Sequence, residues 1–320
     1  MTLHPVARLA AQRIALGLLL LFAASVLIFL GTQILPGDVA QAILGRSATQ
    51  QSLATLREQL GLNEPALTRY FSWLAGVLHG DLGIALSNGQ PIAPALAKRL
   101  GNTLFLAGAA AVIAVPLAIL LGLISVRYLN RWPDRLISAV TLATISVPEF
   151  LLGYIVIFFL AVQYQFLPSL STVYDGMSFG ARLHAIGLPV IVLVLAVLGH
   201  MMRMTRAAIL NVMQSAYVET AELKGLRPFA IIAKHALPNA VAPVVNVVML
   251  NLAYLVVGVV VVEVVFVYPG MGQYLVDHVA KRDVPVVQAC GLVFAAVYIG
   301  LNLVADIVSI LANPRLRHPR

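Results

Sequence analysis

Long apolar runs alternate with polar segments along most of the chain. A helix needs roughly 20 mostly apolar residues to cross the hydrocarbon core of a bilayer. Backbone groups in lipid must be hydrogen-bonded within their own segment, which favours helices over irregular structure. The pattern therefore predicts an all-α integral membrane protein with six transmembrane helices. The six runs lie at about 12–34, 102–126, 136–164, 186–208, 240–265 and 287–311.

Prolines interrupt three of these runs, at Pro116, Pro148 and Pro243. A proline removes one helical hydrogen bond and its ring crowds the preceding turn, so we expect a kink at each position. Kinks can shape a cavity in a helix bundle, but they are also common in membrane helices in general. The sequence leaves both interpretations open.

The first run resembles a secretory signal peptide, with Arg8 and Arg13 as its basic start. The usual apolar core of a signal peptide has about 7–15 residues, and the stretch from Ile14 to Gly31 is longer. No convincing A-x-A cleavage site follows it. We therefore interpret this run as an uncleaved first span.

Composition agrees with a membrane protein. The 320 residues are 60% hydrophobic and only 11% charged, with a mean hydropathy of +0.93. Soluble domains average about 25% charged residues. The net charge of +8 does not indicate a nucleic-acid partner, because the basic residues are scattered between apolar runs. The single cysteine, Cys290, excludes a disulfide framework or a cysteine metal site within one chain.

Basic residues are unevenly distributed between the two sides of the predicted bundle. One side receives the N-terminus, the 127–135 loop, the 201–239 segment and the C-terminal tail, and it carries 13 Lys and Arg residues against 3 acids. The other side carries 8 basic and 7 acidic residues. The excess of Lys and Arg in cytoplasmic loops therefore predicts that the first side, with both termini, is cytoplasmic.

The side predicted to be extracytoplasmic has one long segment, at about 35–100, which begins with the turn motif LPGD (Leu35–Asp38). Apolar and aromatic residues recur in it at helical spacing. We expect short amphipathic helices that lie on the outer membrane face, in contact with lipid, or that cap the bundle. The residues that suggest this arrangement are Leu53, Leu56, Leu60, Tyr70 and Trp73.

Motifs for catalysis and metal binding are missing from the sequence. No lysine stands in a G-x-x-x-x-G-K-[ST] motif, so the chain cannot build the phosphate-binding loop of an ATPase. There is no H-E-x-x-H, G-x-S-x-G or Cys/His cluster, and His79, His184 and His278 are dispersed in outer segments. We predict a non-catalytic chain without a metal site or a cofactor of its own.

Three acids, Glu149, Glu263 and Asp306, lie within or close to apolar runs. Ionisable groups in a membrane are costly, and they are functional candidates for that reason. Two interpretations stay open: a structural or gating role at helix ends and helix contacts, or a proton-relay role. Glu263 and Asp306 have no obvious basic partner within the apolar runs.

The segment YVETAELKGLRPFAIIAKHALPN, Tyr217–Asn239, separates the fourth and fifth runs. Helical periodicity persists to Gly225, which is suited to end a helix. A second amphipathic helix follows, and Pro238 is expected to end it. Such a segment can act as a lever between two spans, with small residues for close approach by a partner (Thr220, Ala221, Gly225) and charges that can pair with it (Glu219, Glu222, Lys224).

This segment resembles the EAA loop of ABC-importer permeases, whose pattern is E-A-A-x3-G-x9-I-x-L-P. Thr220 stands in place of the second alanine, and His235 stands where isoleucine is usual. The resemblance implies a coupling helix that docks into a groove of a cytoplasmic ATPase. The residues that it implies for this role are Glu219, Thr220, Ala221, Glu222, Gly225, Leu237 and Pro238.

Further motifs resemble the dipeptide/oligopeptide/nickel group of these permeases, and specifically its first permease subunit type. They include HGDLGIALSNGQPIAPALAKRLGNTLFLA, SVPEF, VVEVVFVYPGMGQYL, KRDVPVVQA and NLVADIVSILANPRLR, and together they cover essentially the whole chain. The resemblance implies a type I ABC-importer permease fold. It also implies a division into residues 1–95 (first helix and outer segment), 96–312 (permease domain, with the coupling loop at about 217–238) and 313–320 (cytoplasmic tail).

The resemblance also implies an assembly in the bacterial cytoplasmic (inner) membrane. Its other members are a second homologous permease, two ATP-binding subunits that carry ATP and Mg, and an extracytoplasmic substrate-binding protein. Peptides are the default substrate, while nickel or another small solute stays open. The alternative from a different class is a proton-coupled secondary transporter, and ATP dependence of uptake separates the two.

Overall fold

The computed structural model describes residues 5–34, 39–44, 48–59, 61, 63–226 and 228–312. The predicted LPGD turn, Leu60 and the 313–320 tail lie outside these residues. The described chain is almost entirely helical. In chain order, the helices are α1 Pro5–Ile34, α2 Val39–Leu44, α3 Gln50–Gln59, α4 Ala66–Leu78, α5 Ile92–Arg127, α6 Trp132–Ser146, α7 Glu149–Val156, α8 Phe179–Ala185, α9 Gly187–Met213, α10 Ala216–Leu223, α11 Pro228–Ile231, α12 Leu237–Val265, α13 Met271–Ala280 and α14 Val284–Ala312.

Five helices, α1, α5, α9, α12 and α14, are individually long and apolar enough to cross a membrane. The remaining predicted span, 136–164, is not one kinked helix. It consists of α6, then α7 with a π-helical extension over Ile157–Gln163, and the two parts are bent by 104°. Counted as one broken span, this pair completes the six that the sequence predicts.

The break in the third span lies at Pro148. Pro148 has no N–H to donate, and a proline also disfavours helical geometry in the residue before it. Val147 accordingly has extended backbone angles (φ −98°, ψ 127°), and Pro148 becomes the cap of α7. By contrast, Pro116 and Pro243 lie inside continuous helices, α5 and α12. Only one of the three prolines therefore ends a helix.

Helix α9 lies at the centre of the bundle. In its most apolar stretch 67% of the residues are buried, against 17% for α1. It packs against α5, α6, α7 and α12. On α5, Ala110, Ala114 and Ala118 are fully buried at four-residue spacing, and such small side chains let membrane helices approach closely. Helix α1 packs at the edge of the bundle, against α14.

The predicted short helices of the outer segment are present as α3 and α4. Helix α4 packs against α1 through Tyr70, which is buried. The Tyr70 hydroxyl lies 2.8 Å from the Ser25 hydroxyl, and its ring centroid lies 5.3 Å from that of Phe29. Arg69 also donates to Gln33 at 2.7 Å. The segment is therefore attached to the first span by both apolar and polar contacts.

Candidate coupling surface and polar sites in the bundle

Helix α10 lies within the predicted coupling loop and ends as its sequence predicts. Gly225 has φ +75°, a left-handed conformation that glycine adopts without strain. Beyond it, the Leu226 N–H donates to the Ala221 carbonyl at 3.3 Å, which satisfies one of the open carbonyls at the helix end. The space around Gly225 is open, so its backbone angle, and not crowding, calls for glycine there.

One face of α10 packs inward against the second arm of the loop. Val218 and Ala221 are buried and form a small apolar cluster with Ile231 of α11, against which Met213 of α9 also packs. The sequence predicts that Ala221 lies on the surface that a partner approaches, but only 5% of this residue is exposed. Its small side chain is explained by the close packing of the two arms of the loop.

Exposed apolar side chains lie on α10 and in the turn after it. Leu223 is 84% exposed, and Tyr217 and Leu226 are also exposed. Exposed apolar groups next to polar ones are typical of interaction sites. We name the exposed residues of α10 and of this turn the coupling surface; they are Tyr217, Glu219, Thr220, Leu223, Lys224 and Leu226.

The remaining predicted coupling residues lie around this surface or after it. Glu222 lies on α10, and Leu237 is the first residue of α12; the side chains of both fall outside the described part of the chain. Pro238 is exposed in the first turn of α12. Sequence reasoning missed Leu223, although its large apolar side chain between acidic and basic neighbours on a short helix is a recognisable signal.

The second arm of the loop continues directly into the fifth span. Helix α11 is followed by a π-helical turn, Ile232–Ala236, and α12 begins at Leu237 without an interruption. The prediction that Pro238 ends a separate helix is therefore wrong. A π-helical turn breaks the regular i to i−4 ladder just before Pro238, where a proline has no N–H to contribute to it. The loop is thereby joined to α12 as one helical unit.

A partly buried ion pair, which the sequence did not predict, lies at the same end of the bundle. Arg206 of α9 donates from Nε and Nη2 to the two carboxylate oxygens of Asp134, both at 3.1 Å. Asp134 also accepts from the Asn130 N–H at 2.9 Å and from the Ser125 hydroxyl. Two parallel N–H···O bonds fix both position and orientation. The pair therefore ties the start of α6 and the end of α5 to α9.

Glu263 lies at the other end of α12 and is completely buried. One of its carboxyl oxygens accepts from the Thr103 hydroxyl at 2.6 Å. The other accepts from the backbone N–H groups of Gly272 at 2.6 Å and Gln273 at 3.2 Å. These two N–H groups lie in the first turn of α13, where a helix has no internal acceptors for them. Glu263 thus caps α13 and ties α12, α13 and α5 together.

Two glycines give the Glu263 carboxyl group its space. A Cβ on Gly270 would lie 1.9 Å from Glu263 Oε1, and one on Gly272 would lie 2.6 Å from the Cα of Val260. Both distances are far below a permissible contact, and Val260 Cα is backbone. In the YPGMG segment, the backbone therefore approaches a buried carboxyl group closely. We call Glu263, Gly270–Gln273 and Thr103 the α12–α13 corner.

Further polar contacts lie near this corner. Asp283 is buried and accepts from the N–H groups of Leu86 at 3.1 Å and Ser87 at 2.9 Å. Tyr268 donates its hydroxyl to the Asn102 carbonyl at 2.8 Å. Burial raises the pKa of the Tyr268 hydroxyl above its ordinary value, so this group stays a donor also in alkaline solution. A few polar contacts thus join residues that are far apart in sequence.

Asp306 of α14 has a basic partner that its sequence context did not reveal. Arg13 of α1 lies 3.2 Å from it, and both side chains are partly exposed. Within the described residues, no group of three or more His, Cys, Asp and Glu side chains is placed to hold a metal ion. His79 and His278 are hydrogen-bonded to backbone carbonyls four residues earlier, those of Ala75 and Tyr274.

Glu149, the third acid, lines an open pocket at the break between α6 and α7. The pocket has a volume of about 340 Å³. The Tyr254 hydroxyl of α12 donates to the Glu149 carboxyl group at 3.2 Å, and His200 of α9 lies on the same wall. The three intramembrane acids therefore have different surroundings: Glu263 is enclosed, Asp306 is ion-paired, and Glu149 faces a cavity.

Comparison with known proteins identifies the family. The model for "Binding-protein-dependent transport system inner membrane component" matches residues 89–318, and a model for the N-terminal part of such membrane components matches residues 6–107. The chain is 35% identical over 296 residues to the probable peptide ABC transporter permease protein y4tP of Sinorhizobium fredii, covering 92% of this chain and 94% of that relative.

The chain is also 38% identical over 298 residues to the glutathione transport system permease protein GsiC of Escherichia coli, covering 93% of this chain and 95% of that relative. Among solved structures, an inward-facing form of the MetNI methionine ABC transporter gives a TM-score of 0.50 at 19% identity, covering 69% of this chain and 96% of that one. This likeness supports the permease fold alone.

These matches confirm the predicted resemblance, the all-α membrane fold and the non-catalytic character of the subunit. A permease of this kind works in the inner membrane together with ATP-binding subunits and a substrate-binding protein. The chain therefore belongs to the family of binding-protein-dependent transport system inner membrane components, as a membrane-spanning permease subunit of an ABC importer.

Proposed function

We propose that this subunit translocates peptides, with di- and oligopeptides and peptide-like molecules such as glutathione as the substrate class. The support is the likeness, over more than nine-tenths of the chain, to permeases whose names state peptide and glutathione transport. Nickel or another small solute of the same group is the alternative substrate. A proton-coupled secondary transporter is disfavoured by membership in an ATP-driven family.

The coupling surface is the proposed docking site for an ATPase subunit. Its support is an exposed apolar side chain, Leu223, on a short helix whose other face is packed within the chain. The second arm of the same loop runs on into α12 as one helical unit. A displacement of α10 by the ATPase would therefore also displace a membrane span.

The mechanism follows from this connection. ATP binding closes a pair of ATPase subunits. The coupling surface of this chain moves with the ATPase subunit to which it is docked. The movement passes through α10 to α9 and α12, so the bundle and its partner permease exchange an inward for an outward opening. ATP and the loaded binding protein favour the outward state because each binds it better.

The proposed orientation places both termini and the coupling surface in the cytoplasm and the 35–100 segment outside. Cys290 is completely buried, which makes cysteine labelling a clean test. Trp132→Cys and Leu78→Cys would each place a thiol at a highly exposed position on opposite sides, and neither position lies in the coupling surface. A membrane-impermeant maleimide should label position 78 in intact spheroplasts and position 132 only after lysis. The reverse pattern would overturn the orientation.

The assembly is tested by gentle purification of the tagged chain from its native membrane, with mass spectrometry of the proteins that accompany it. A second six-span permease and ATP-binding subunits are expected. The complex is then reconstituted with its binding protein, ATP is enclosed in the vesicles, and uptake of labelled dipeptides, glutathione and nickel is compared. ATP-dependent uptake of nickel alone would replace peptides as the substrate. Uptake that needs a proton gradient instead of ATP would reject the ABC mechanism.

A further inference from the structure

We propose that the pocket at the α6–α7 break binds the primary ammonium group of the transported solute, with Glu149 and Tyr254 as its ligands. The inference rests on the proposed function, because a peptide carries such a group at its amino terminus. It goes beyond that function by naming the residues of this chain that contact the substrate and the substrate group that they contact.

The position of the pocket is the first observation. Tyr254 lines it and lies fourteen residues after the start and eleven before the end of the apolar run 240–265. At about 1.5 Å per residue, Tyr254 is therefore about 21 Å and about 17 Å from the two ends of this run. The hydrocarbon core of a bilayer is about 30 Å thick, so the pocket lies near its middle. In secondary transporters, substrate sites lie at this depth and are formed by interrupted helices, and the α6–α7 break offers a similar arrangement here.

The side chains of the pocket are the second observation. Thr144, Glu149, His200 and Tyr254 are gathered among Ile145, Val147 and other apolar residues. Ionisable groups at this depth are costly, and they usually face a cavity or a partner. Within the described part of the chain, Glu149 forms no ion pair, and its carboxyl group accepts a hydrogen bond from Tyr254. A carboxyl group without a cation of its own is suited to receive one from a ligand.

Tyr254 suits the same ligand for a different reason. Its hydroxyl is engaged by Glu149, while 52% of the residue stays exposed, so the ring remains accessible beside the carboxyl group. An ammonium group is attracted both by an opposite charge and by the face of an aromatic ring. The pocket of about 340 Å³ falls within the range of small-molecule sites, at roughly 300–1,000 Å³.

The surrounding packing holds the pocket open in a defined shape. A Cβ on Gly199 would lie 2.7 Å from the Thr141 carbonyl, so α6 and α9 are in backbone contact next to His200. A Cβ on Gly153 would lie 3.0 Å from Val265 Cγ1, which keeps α7 close against α12. Because α6 is held against α9, and α7 against both α9 and α12, the break between α6 and α7 cannot close without moving one of these contacts.

The first test uses the reconstituted importer, with its partner permease, ATPases and binding protein, and measures both ATP hydrolysis and peptide uptake. Glu149→Gln should retain ATP hydrolysis stimulated by peptide-loaded binding protein within twofold, but should lower the peptide accumulated per ATP about tenfold. Tyr254→Phe should lower this ratio about threefold. Glu64→Gln and Tyr154→Phe, at exposed positions away from the pocket, are the matched controls. A wild-type ratio in Glu149→Gln would overturn the inference.

The second test does not depend on the folding of a variant. The wild-type complex in detergent, without binding protein, is irradiated with a radiolabelled tripeptide that carries a diazirine side chain, or with its N-acetylated form. The free amine should label pocket residues at least fivefold more than the acetylated peptide. Equal labelling, or labelling elsewhere, overturns the inference. If the wild-type importer transports no peptide at all, the proposed function fails; normal peptide transport with unselective labelling rejects only the ammonium site.

Discussion

The two ends of α12 are attached to the rest of the chain in different ways. At the α12–α13 corner, Glu263 is completely buried, and each of its carboxyl oxygens is hydrogen-bonded within the chain. At the other end, the coupling loop is held by an apolar cluster of Val218, Ala221 and Ile231, while Leu223 is left 84% exposed. The corner is complete within this subunit, whereas the coupling surface leaves apolar area that a partner can cover.

This difference separates two kinds of sensitivity. Substitutions at the corner should act on the stability of the isolated chain, because they leave buried polar groups without partners. Substitutions at the coupling surface should act on assembly and coupling, because little inside the chain depends on them. Four predictions use this contrast, from the largest expected effect to the smallest.

Glu263→Ala should give the largest effect. It leaves the Thr103 hydroxyl and the N–H groups of Gly272 and Gln273 without their acceptor and opens a cavity in the corner. The loss of these buried bonds should lower the free energy of unfolding by roughly 3 kcal/mol or more. Thermal unfolding of the purified chain in detergent, followed by Trp and Tyr fluorescence, measures it.

Two variants bracket that result. Glu263→Gln retains the shape and one acceptor, so it should lose clearly less stability than the alanine variant. Glu64→Ala removes an exposed carboxyl group and should change the unfolding temperature little. A Glu263→Ala chain as stable as Glu64→Ala would mean that the corner does not stabilise the fold, and the contrast between the two ends would be lost.

Leu223→Asp should leave the unfolding temperature unchanged and weaken the association with the ATPase subunits. Covering a leucine side chain contributes about 1.5–3 kcal/mol, which corresponds to roughly 10–100-fold in Kd. The affinity of the solubilised permease pair for its ATPases measures the effect. Leu78→Asp is the matched control, because Leu78 is 79% exposed but lies at the end of α4, outside the coupling surface. Equal weakening by both variants would remove the coupling surface from the interface.

Gly225→Val should give a smaller loss of coupling. Its Cβ would meet open space, so the cost comes from holding a β-branched residue at φ +75°. That conformation costs about 1–2 kcal/mol for an L-residue, and it should lower ATP hydrolysis stimulated by loaded binding protein about fivefold. Gly225→Asn, which tolerates the left-handed region, should stay near the wild type. If both variants behave alike, backbone geometry at position 225 does not limit coupling.

The sequence was sufficient to predict the spans, because hydropathy over about 20 residues does not depend on tertiary contacts. It also predicted the helix end at Gly225, which is set by local backbone geometry. It did not separate Pro148 from Pro116 and Pro243, although all three lie in apolar runs. The helix ends only at Pro148, where α6 and α7 each pack against other helices, and no local pattern reveals those tertiary contacts.

The polar sites show the same limit. Thr103 bonds Glu263 across 160 positions of sequence, and Arg206 reaches Asp134 across 72, so neither pair could be found from local patterns. The inward direction of Ala221 was within reach, because Val218 lies three residues before it and completes an apolar face on a short helix. The family pattern specifies residue types at fixed positions, and it does not specify the direction in which each side chain points.

Arg13→Gln should give the smallest effect, although it breaks an ion pair between two membrane helices. The Arg13 and Asp306 side chains are 52% and 38% exposed, and pairs with this much exposure contribute about 0–1 kcal/mol. The two helices also meet without the pair, since a Cβ on Gly17 would touch Ile299 at 3.4 Å and one on Gly291 would touch Ile28 at 3.3 Å. A double-mutant cycle with Asp306→Asn, read by thermal unfolding, should give a coupling energy below about 1 kcal/mol. A value above 2 kcal/mol would place this pair with the α12–α13 corner, among the contacts on which the fold depends.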